Sequence, residues 1–149
     1  MSTSGKRFGK LAGPLTKNGY LIVPTYDGQK NPIPTGWQEY RFNKADLKLY
    51  PDAGVGILAG INVVPIDNDI KNAELAAQCD RLILEKLGPA PRREGQLPKS
   101  AYLYALSEPM KHVGTRKYQL PGDPINDPNY KPHHVEALGR TQQLNNPRL

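Results

Sequence analysis

The sequence predicts one domain of mixed strands and helices, and three observations predict it. Short apolar runs bounded by Gly, Pro or Asn recur along the chain, as strands do. One longer stretch, residues 72–87, instead spaces its apolar residues at the helical period. With 15 prolines and 14 glycines among 149 residues, the chain is too often interrupted for a helical bundle. This length builds one modest core rather than two.

Residues 1–14, rich in Gly, Ser and Lys, predict a flexible lead-in, the folded domain then spanning 15–143 and an irregular tail 144–149. Tyr20-Leu-Ile-Val-Pro24 reads as a buried strand ending in the Asp27-Gly28 turn. The proline-rich run Lys30 to Trp37 predicts an ordered loop in which Trp37 is a packing anchor, with base stacking as its functional alternative. Asn43 predicts the start of a short helix over 44–50, stopped by Pro51.

Residues 54–60 and 62–67 predict two strands separated by a tight turn. Asn72 then caps a helix whose stripe is Leu75, Ala76, Cys79, Leu82, Ile83 and Leu87, and Gly88-Pro89 ends it. A further strand over 100–106 completes a strand–helix–strand crossover. The Pro/Gly/Asn/Asp-rich segment 107–132 predicts a long loop with one short strand near 117–120, and 133–138 is the last predicted strand.

The formal net charge of +6 favours anionic partners, nucleic acid or nucleotides first. No apolar run has the roughly 20 residues of a membrane span, and the polar, basic start lacks the apolar core of a secretory signal. These features predict a soluble cytoplasmic protein without a membrane partner. A single cysteine excludes an internal disulfide and a multi-cysteine zinc site. His112, His133 and His134 have no ligand spacing with other His or Cys, which also argues against zinc.

Asp67-Asn68-Asp69 follows the apolar run Val63-Val64-Pro65-Ile66. Two carboxylates two residues apart on a strand point to the same side and can share a divalent cation, Mg²⁺ or Mn²⁺ for all-oxygen ligands. Taken alone, the tripeptide favours turn chemistry. Glu136 lies inside the apolar strand 133–138 and completes a three-carboxylate site if that strand lies beside the one bearing Asp67. Arg92, Arg93 and Lys99 flank a Gly/Pro-rich loop. They read either as solvated charges or, beside a metal, as cations for a triphosphate. Lys30 carries the same two readings.

The order of five segments resembles a known family. Lys30-x-Pro32-x-x-x-Gly36-Trp37, Ala53-Gly-Val-Gly-Ile57, Val63-Val-Pro-Ile-Asp-Asn-Asp69, Pro98-Lys99 and Val135-Glu-Ala-Leu-Gly139 together resemble the N-terminal primase-polymerase (Prim-Pol) domain. That bifunctional DNA primase/polymerase module belongs to the archaeo-eukaryotic primase superfamily of phages, plasmids and integrated elements. The resemblance spans about residues 19–143.

It implies an α+β catalytic core with an RRM-like mixed sheet flanked by helices. It makes Asp67, Asp69 and Glu136 the catalytic, metal-binding carboxylates and reverses the turn reading of the tripeptide. In place of the family's second-motif histidine stands Tyr102, with Lys99 and Arg93 expected to take over the phosphate contact and Lys30 as a further nucleotide contact. Arg92, Arg116 and Lys117 are the candidate nucleic-acid contacts. The family pattern continues with another apolar strand after residue 143, which 144–149 do not supply, so the core is expected to be C-terminally truncated.

The implied activity is metal-dependent nucleotidyl transfer on a single-stranded DNA template, with nucleoside triphosphates as substrates and a helicase as a further partner in replication. The alternative is a non-catalytic protein that binds nucleotide, nucleic acid or a protein partner on a truncated primase fold. A fragment of a longer primase-helicase is the third reading.

Overall fold

A computed structural model describes residues 7–145. The chain is α+β, with two antiparallel sheets and few helices. The smaller sheet has the order β1-β2-β8, formed by Ile22–Thr25 (β1), Gly54–Leu58 (β2) and Gln143–Asn145 (β8). The larger has the order β4-β5-β3-β7-β6, formed by Val63–Asp69 (β3), Arg92–Glu94 (β4), Ser100–Ala105 (β5), Val113–Gly114 (β6) and His134–Ala137 (β7). The helices are α1 (Arg7–Lys17), the short α2 (Asp46–Leu49) and α3 (Ala73–Leu87), with one 3₁₀ turn at Trp37–Glu39.

The segment expected to be a flexible lead-in is helical from Arg7 onward, with Phe8, Ala12 and Leu15 buried. Those residues recur at i, i+4 and i+7, the spacing of one helix face. Phe8 packs edge-on against Phe42 and Tyr50, and its N–H donates to Ala53 O at 3.0 Å. The packed domain is therefore wider than 15–143. At the other end Leu144, expected in an irregular tail, is 3 % exposed and pairs with Ile57 in β8. The remaining tail positions 146–149, and 1–6 of the lead-in, lie outside the described residues.

Gly54–Leu58 and Val63–Asp69 are strands as expected, but they belong to different sheets, joined by the corner at Gly60. Ile57, Ala59 and Leu144 meet Val63, Ala101, Leu103 and Leu138 in one apolar cluster between the sheets. A second cluster joins α1 to Ile22 and Val55, and Tyr20 packs against both.

The expected crossover is present in altered form. α3 links β3 to β4, while β5 pairs antiparallel with both and lies between them. This is a split βαβ unit. Every adjacent pair in both sheets is antiparallel, so the sheet is not mixed, because β5 fills the place between the two strands that run the same way. In the long loop the expected short strand reduces to the single bridge Tyr118↔His133, and β6 forms nearby.

α3 begins as expected, with Asn72 accepting from Leu75 N–H, and ends at Gly88. Its apolar stripe is only partly covered. Ala76 and Ile83 are buried and Cys79 is half-buried, whereas Leu82 and Leu87 are exposed. A polar network docks the helix instead. Asn68, fully buried, donates to Ala76 O at 3.0 Å and to Asp80 at 2.8 Å, and Ser100 donates to Asp80 at 2.7 Å. Asp80→Ala would leave two buried donors without their carboxylate. It is expected to cost about 2–3 kcal/mol, read as a lower urea midpoint at unchanged slope. An unchanged midpoint would mean that the network does not hold the helix.

Candidate active site

The register of the larger sheet decides which side chains share a face. Asp67 lies opposite Ala101 on one side and Glu136 on the other, Ala101 lies opposite Arg93, and Glu136 lies opposite Gly114. One row across the sheet therefore reads Arg93, Ala101, Asp67, Glu136, Gly114. Two residues along, Asp69 lies opposite His134. Side chains alternate between faces, so Asp67, Asp69, Glu136, His134 and Arg93 stand on one face. Asn68 points to the other face and holds α3, which explains an amide between two carboxylates.

Asp69 carries two ammonium partners. Lys99 Nζ is 2.8 Å from Oδ1 and Lys71 Nζ is 3.2 Å from Oδ2. Lys71 Nζ also donates at 3.0 Å to the carbonyls of Asp69 and Pro132, so its three donors are all engaged. Lys99 has one contact, to Asp69, among the described residues, which leaves two of its three donors without a partner there. Glu136 contacts two imidazoles, His112 Nε2 at 2.5 Å and His134 Nε2 at 2.5 Å, while His134 Nδ1 is 3.5 Å from Asp69.

The three carboxyls differ electrostatically. Asp67 titrates above its ordinary range, first because it is buried and then because Asp69 and Glu136 crowd it with like charge, against the opposing pull of Arg93. Burial pushes Asp69 the same way, but hydrogen bonding and charge from Lys99 and then Lys71 outweigh it, and its carboxyl sits low. Glu136 is likewise held low against burial by its hydrogen bonds to His112 and His134.

Of the residues expected in the site, Asp67, Asp69, Glu136, Arg93 and Lys99 are on or against this face. Tyr102 is not. It pairs with Ile66 and Arg92, on the face that packs against α3, and the position beside Asp67 belongs to Ala101. Arg92 shares that opposite face, pairing with Asp80 and Glu94 and lying 5.9 Å from the Tyr102 ring centroid. Lys30 is exposed on the loop of the smaller sheet, where its carbonyl accepts from Gln143 Nε2 at 2.6 Å. Arg116 and Lys117 are exposed on the strip of chain that runs beside β7, between β6 and the Tyr118↔His133 bridge.

Sequence reasoning missed Lys71, His112 and His134. His134 carried a signal, standing two residues before Glu136 on a strand and therefore on its face. Among the described residues, no group of three or more His, Cys, Asp or Glu side chains converges as a metal cage. Asp69 is turned to two lysines and Glu136 to two histidines.

Beside Asp69 lies a cavity of about 700 Å³. One wall carries Lys71, Lys99, Leu97 and Pro98, and the other is the segment from Asp123 to His133. Asp123 braces that segment. Its Oδ2 accepts from Leu120 N–H at 2.8 Å and from the Tyr130 hydroxyl at 2.7 Å, and it meets His133 Nε2 at 3.0 Å. His133, only 2 % exposed, accepts Lys71 N–H on Nδ1, which leaves Nε2 to donate to Asp123. Among the described residues, no helix is long and apolar enough to cross a membrane. No protein-family model matches the chain, and no curated protein matches it.

Proposed function

We propose that the chain is a metal-dependent nucleotidyltransferase of primase-polymerase type. One observation carries the reading: Asp67 and Asp69 share a sheet face with Glu136 directly opposite Asp67, Lys99 and Lys71 contact Asp69, and Arg93 acts on Asp67. The strand order β4-β5-β3-β7 around a split βαβ unit supports it, being the order expected of an RRM-like sheet.

By donor chemistry the three carboxylates suit a hard divalent cation, and binding one would require Asp69 and Glu136 to turn from their lysine and histidine partners toward a common centre. Asp67 is crowded by two like charges, a strain that a Mg²⁺ or Mn²⁺ ion would relieve. Asp67, Asp69 and Glu136 would hold it, and when bound it would polarise phosphoryl oxygens and neutralise developing charge. Arg93 and Lys99 bind and orient the triphosphate, Lys99 through its spare donors. Asn68 fixes which way its two neighbouring carboxylates face. The reaction joins a hydroxyl oxygen, from a primer or a first nucleotide, to the α-phosphorus, and the hydroxyl proton is lost to solvent. The bond from that phosphorus to the bridging oxygen breaks, and pyrophosphate leaves.

A second reading has one observation in its favour. Asp69 and Glu136 are already engaged by this chain's own lysines and histidines, as in a site that binds without catalysing. Template-directed incorporation on single-stranded DNA, with Mg²⁺ or Mn²⁺, separates the two. The nucleotidyltransferase predicts incorporation that is lost in Asp67→Asn/Asp69→Asn. No incorporation from a cooperatively melting chain would favour the binding protein over the nucleotidyltransferase.

Lys99→Ala is expected to raise KM for the nucleoside triphosphate about tenfold or more, because a charge-assisted contact contributes about 1.5–3 kcal/mol. An unchanged KM would remove Lys99 from the triphosphate.

A further inference from the structure

We propose that the cavity beside Asp69 is a nucleoside-binding pocket, in which the segment from Asp123 to Lys131 and Leu97 read the organic part of a nucleotide whose phosphates lie at Lys99. The inference rests on the nucleotidyl-transfer reading and extends it to residues that the carboxylate face does not include.

Four observations converge on that ligand. The volume, about 700 Å³, lies in the range of about 300–1,000 Å³ that small-molecule sites occupy. Its lining is mixed, with Lys71 and Lys99 bonded to Asp69, and Asp127, Asn129 and Lys131 contributed by the segment that follows Asp123. A ligand that carries both an anionic group and hydroxyl or amino donors can use both kinds of lining group, whereas inorganic polyphosphate offers only anionic oxygens.

Leu97 supplies the third observation. It lines the cavity yet is 70 % exposed, beside Pro98 and facing a wall that includes Pro124. A flat apolar face such as a nucleobase would cover it. The fourth is that the far wall is built in advance. Asp123 draws Leu120, Tyr130 and His133 onto one oxygen, and His133 ties the segment to the backbone of Lys71. A wall already held in place loses little freedom when a ligand docks.

This separates the two lysines of the pocket. Lys71, with all three donors engaged by Asp69 and Pro132, is a positioning residue that joins the carboxylate face to the pocket wall. Lys99 is the phosphate contact.

Calorimetric titration with dATP, ATP and inorganic tripolyphosphate, each with Mn²⁺, tests the pocket. The wild-type chain is expected to bind at least one of the two nucleotides tenfold or more tighter than tripolyphosphate. Leu97→Ser and Asn129→Ala alter side chains on the cavity surface. Each is expected to shrink that preference threefold or more while leaving tripolyphosphate affinity unchanged, whereas Lys99→Ala weakens all three ligands. The melting temperature of each variant reports that it folds.

Equal affinity for nucleotide and tripolyphosphate would overturn the proposal. So would a preference that survives in both Leu97→Ser and Asn129→Ala. Because binding is read without turnover, a chain that shows the preference but incorporates nothing would retain the pocket and lose the polymerase reading. Incorporation with KM unaltered in both pocket variants would do the reverse.

Discussion

Asp67→Asn is expected to lower nucleotide incorporation by about 10²–10³-fold or more, the scale of losing one group that stabilises transition-state charge. The same change is expected to raise the melting temperature at neutral pH. Burial and the charges of Asp69 and Glu136 lift the Asp67 carboxyl above its ordinary range, so the fold disfavours its ionised form. Between the unfolded carboxyl pKa, about 3.9, and the higher folded value, the native state holds more protons than the unfolded chain. The stability contribution of Asp67 is therefore fully present below the unfolded pKa and is lost as pH rises through the folded one.

An amide at position 67 has no such penalty. The stabilisation of Asp67→Asn relative to wild type should grow as pH rises above the ordinary carboxylate range and narrow as pH falls back into it. Mn²⁺ should raise the melting temperature of the wild type more than that of the variant, because the cation relieves the same crowding. A variant that melts below wild type at pH 7 would contradict the electrostatic account of this face. A variant that incorporates nucleotide at full rate would contradict the functional one.

The site was legible in the sequence to the extent that periodicity along one strand reports a face. Asp67 and Asp69, two apart after an apolar run, stand together as expected, and Glu136 joins them because β7 pairs beside β3. The same rule places His134 on that face. What periodicity does not carry is register between strands, and a slip of one residue exchanges the faces. Tyr102 was expected in the site, but the pairing of β5 puts Ala101 beside Asp67 and turns Tyr102 toward α3.

The fold was legible where elements carry their own signals, as in α3 with its Asn72 cap and Gly88 end. β4 and β8 have almost none. Arg92–Glu94 is polar, and Gln143–Asn145 offers a single apolar residue, so each is a strand only through its neighbour. In α1 the spacing of Phe8, Ala12 and Leu15 was present but obscured by Gly9, Gly13 and Pro14, and burial against the smaller sheet overrides those weak helix formers.

His112 was beyond the reach of such arguments, because a close crossing of three chain segments delivers it, and Gly139→Ala tests that crossing. Met110 N–H donates to Gly60 O at 2.9 Å, and Arg140 N–H donates to Met110 O at 2.9 Å. A Cβ on residue 139 would lie 2.0 Å from His112 N and 2.3 Å from Lys111 C, both backbone atoms that no rotamer change can move. Overpacking of this kind costs about 1–3 kcal/mol where neighbours can shift and more where they cannot.

Gly139→Ala is accordingly expected to lose about 3 kcal/mol or more in urea unfolding, a large share of the roughly 5–15 kcal/mol that holds a domain. Gly9→Ala supplies the contrast. Gly9 is exposed in α1, is not followed by proline, and has no atom beyond its chain neighbours and its own helix backbone within 4 Å of the added carbon, so the same substitution there should stabilise by about 0.5–1 kcal/mol. Opposite signs from one chemical change would assign the loss to the crossing rather than to the general effect of replacing glycine. If Gly139→Ala instead unfolded at the wild-type midpoint, the chain would not cross this closely, and the contact between His112 and Glu136 would lose its support.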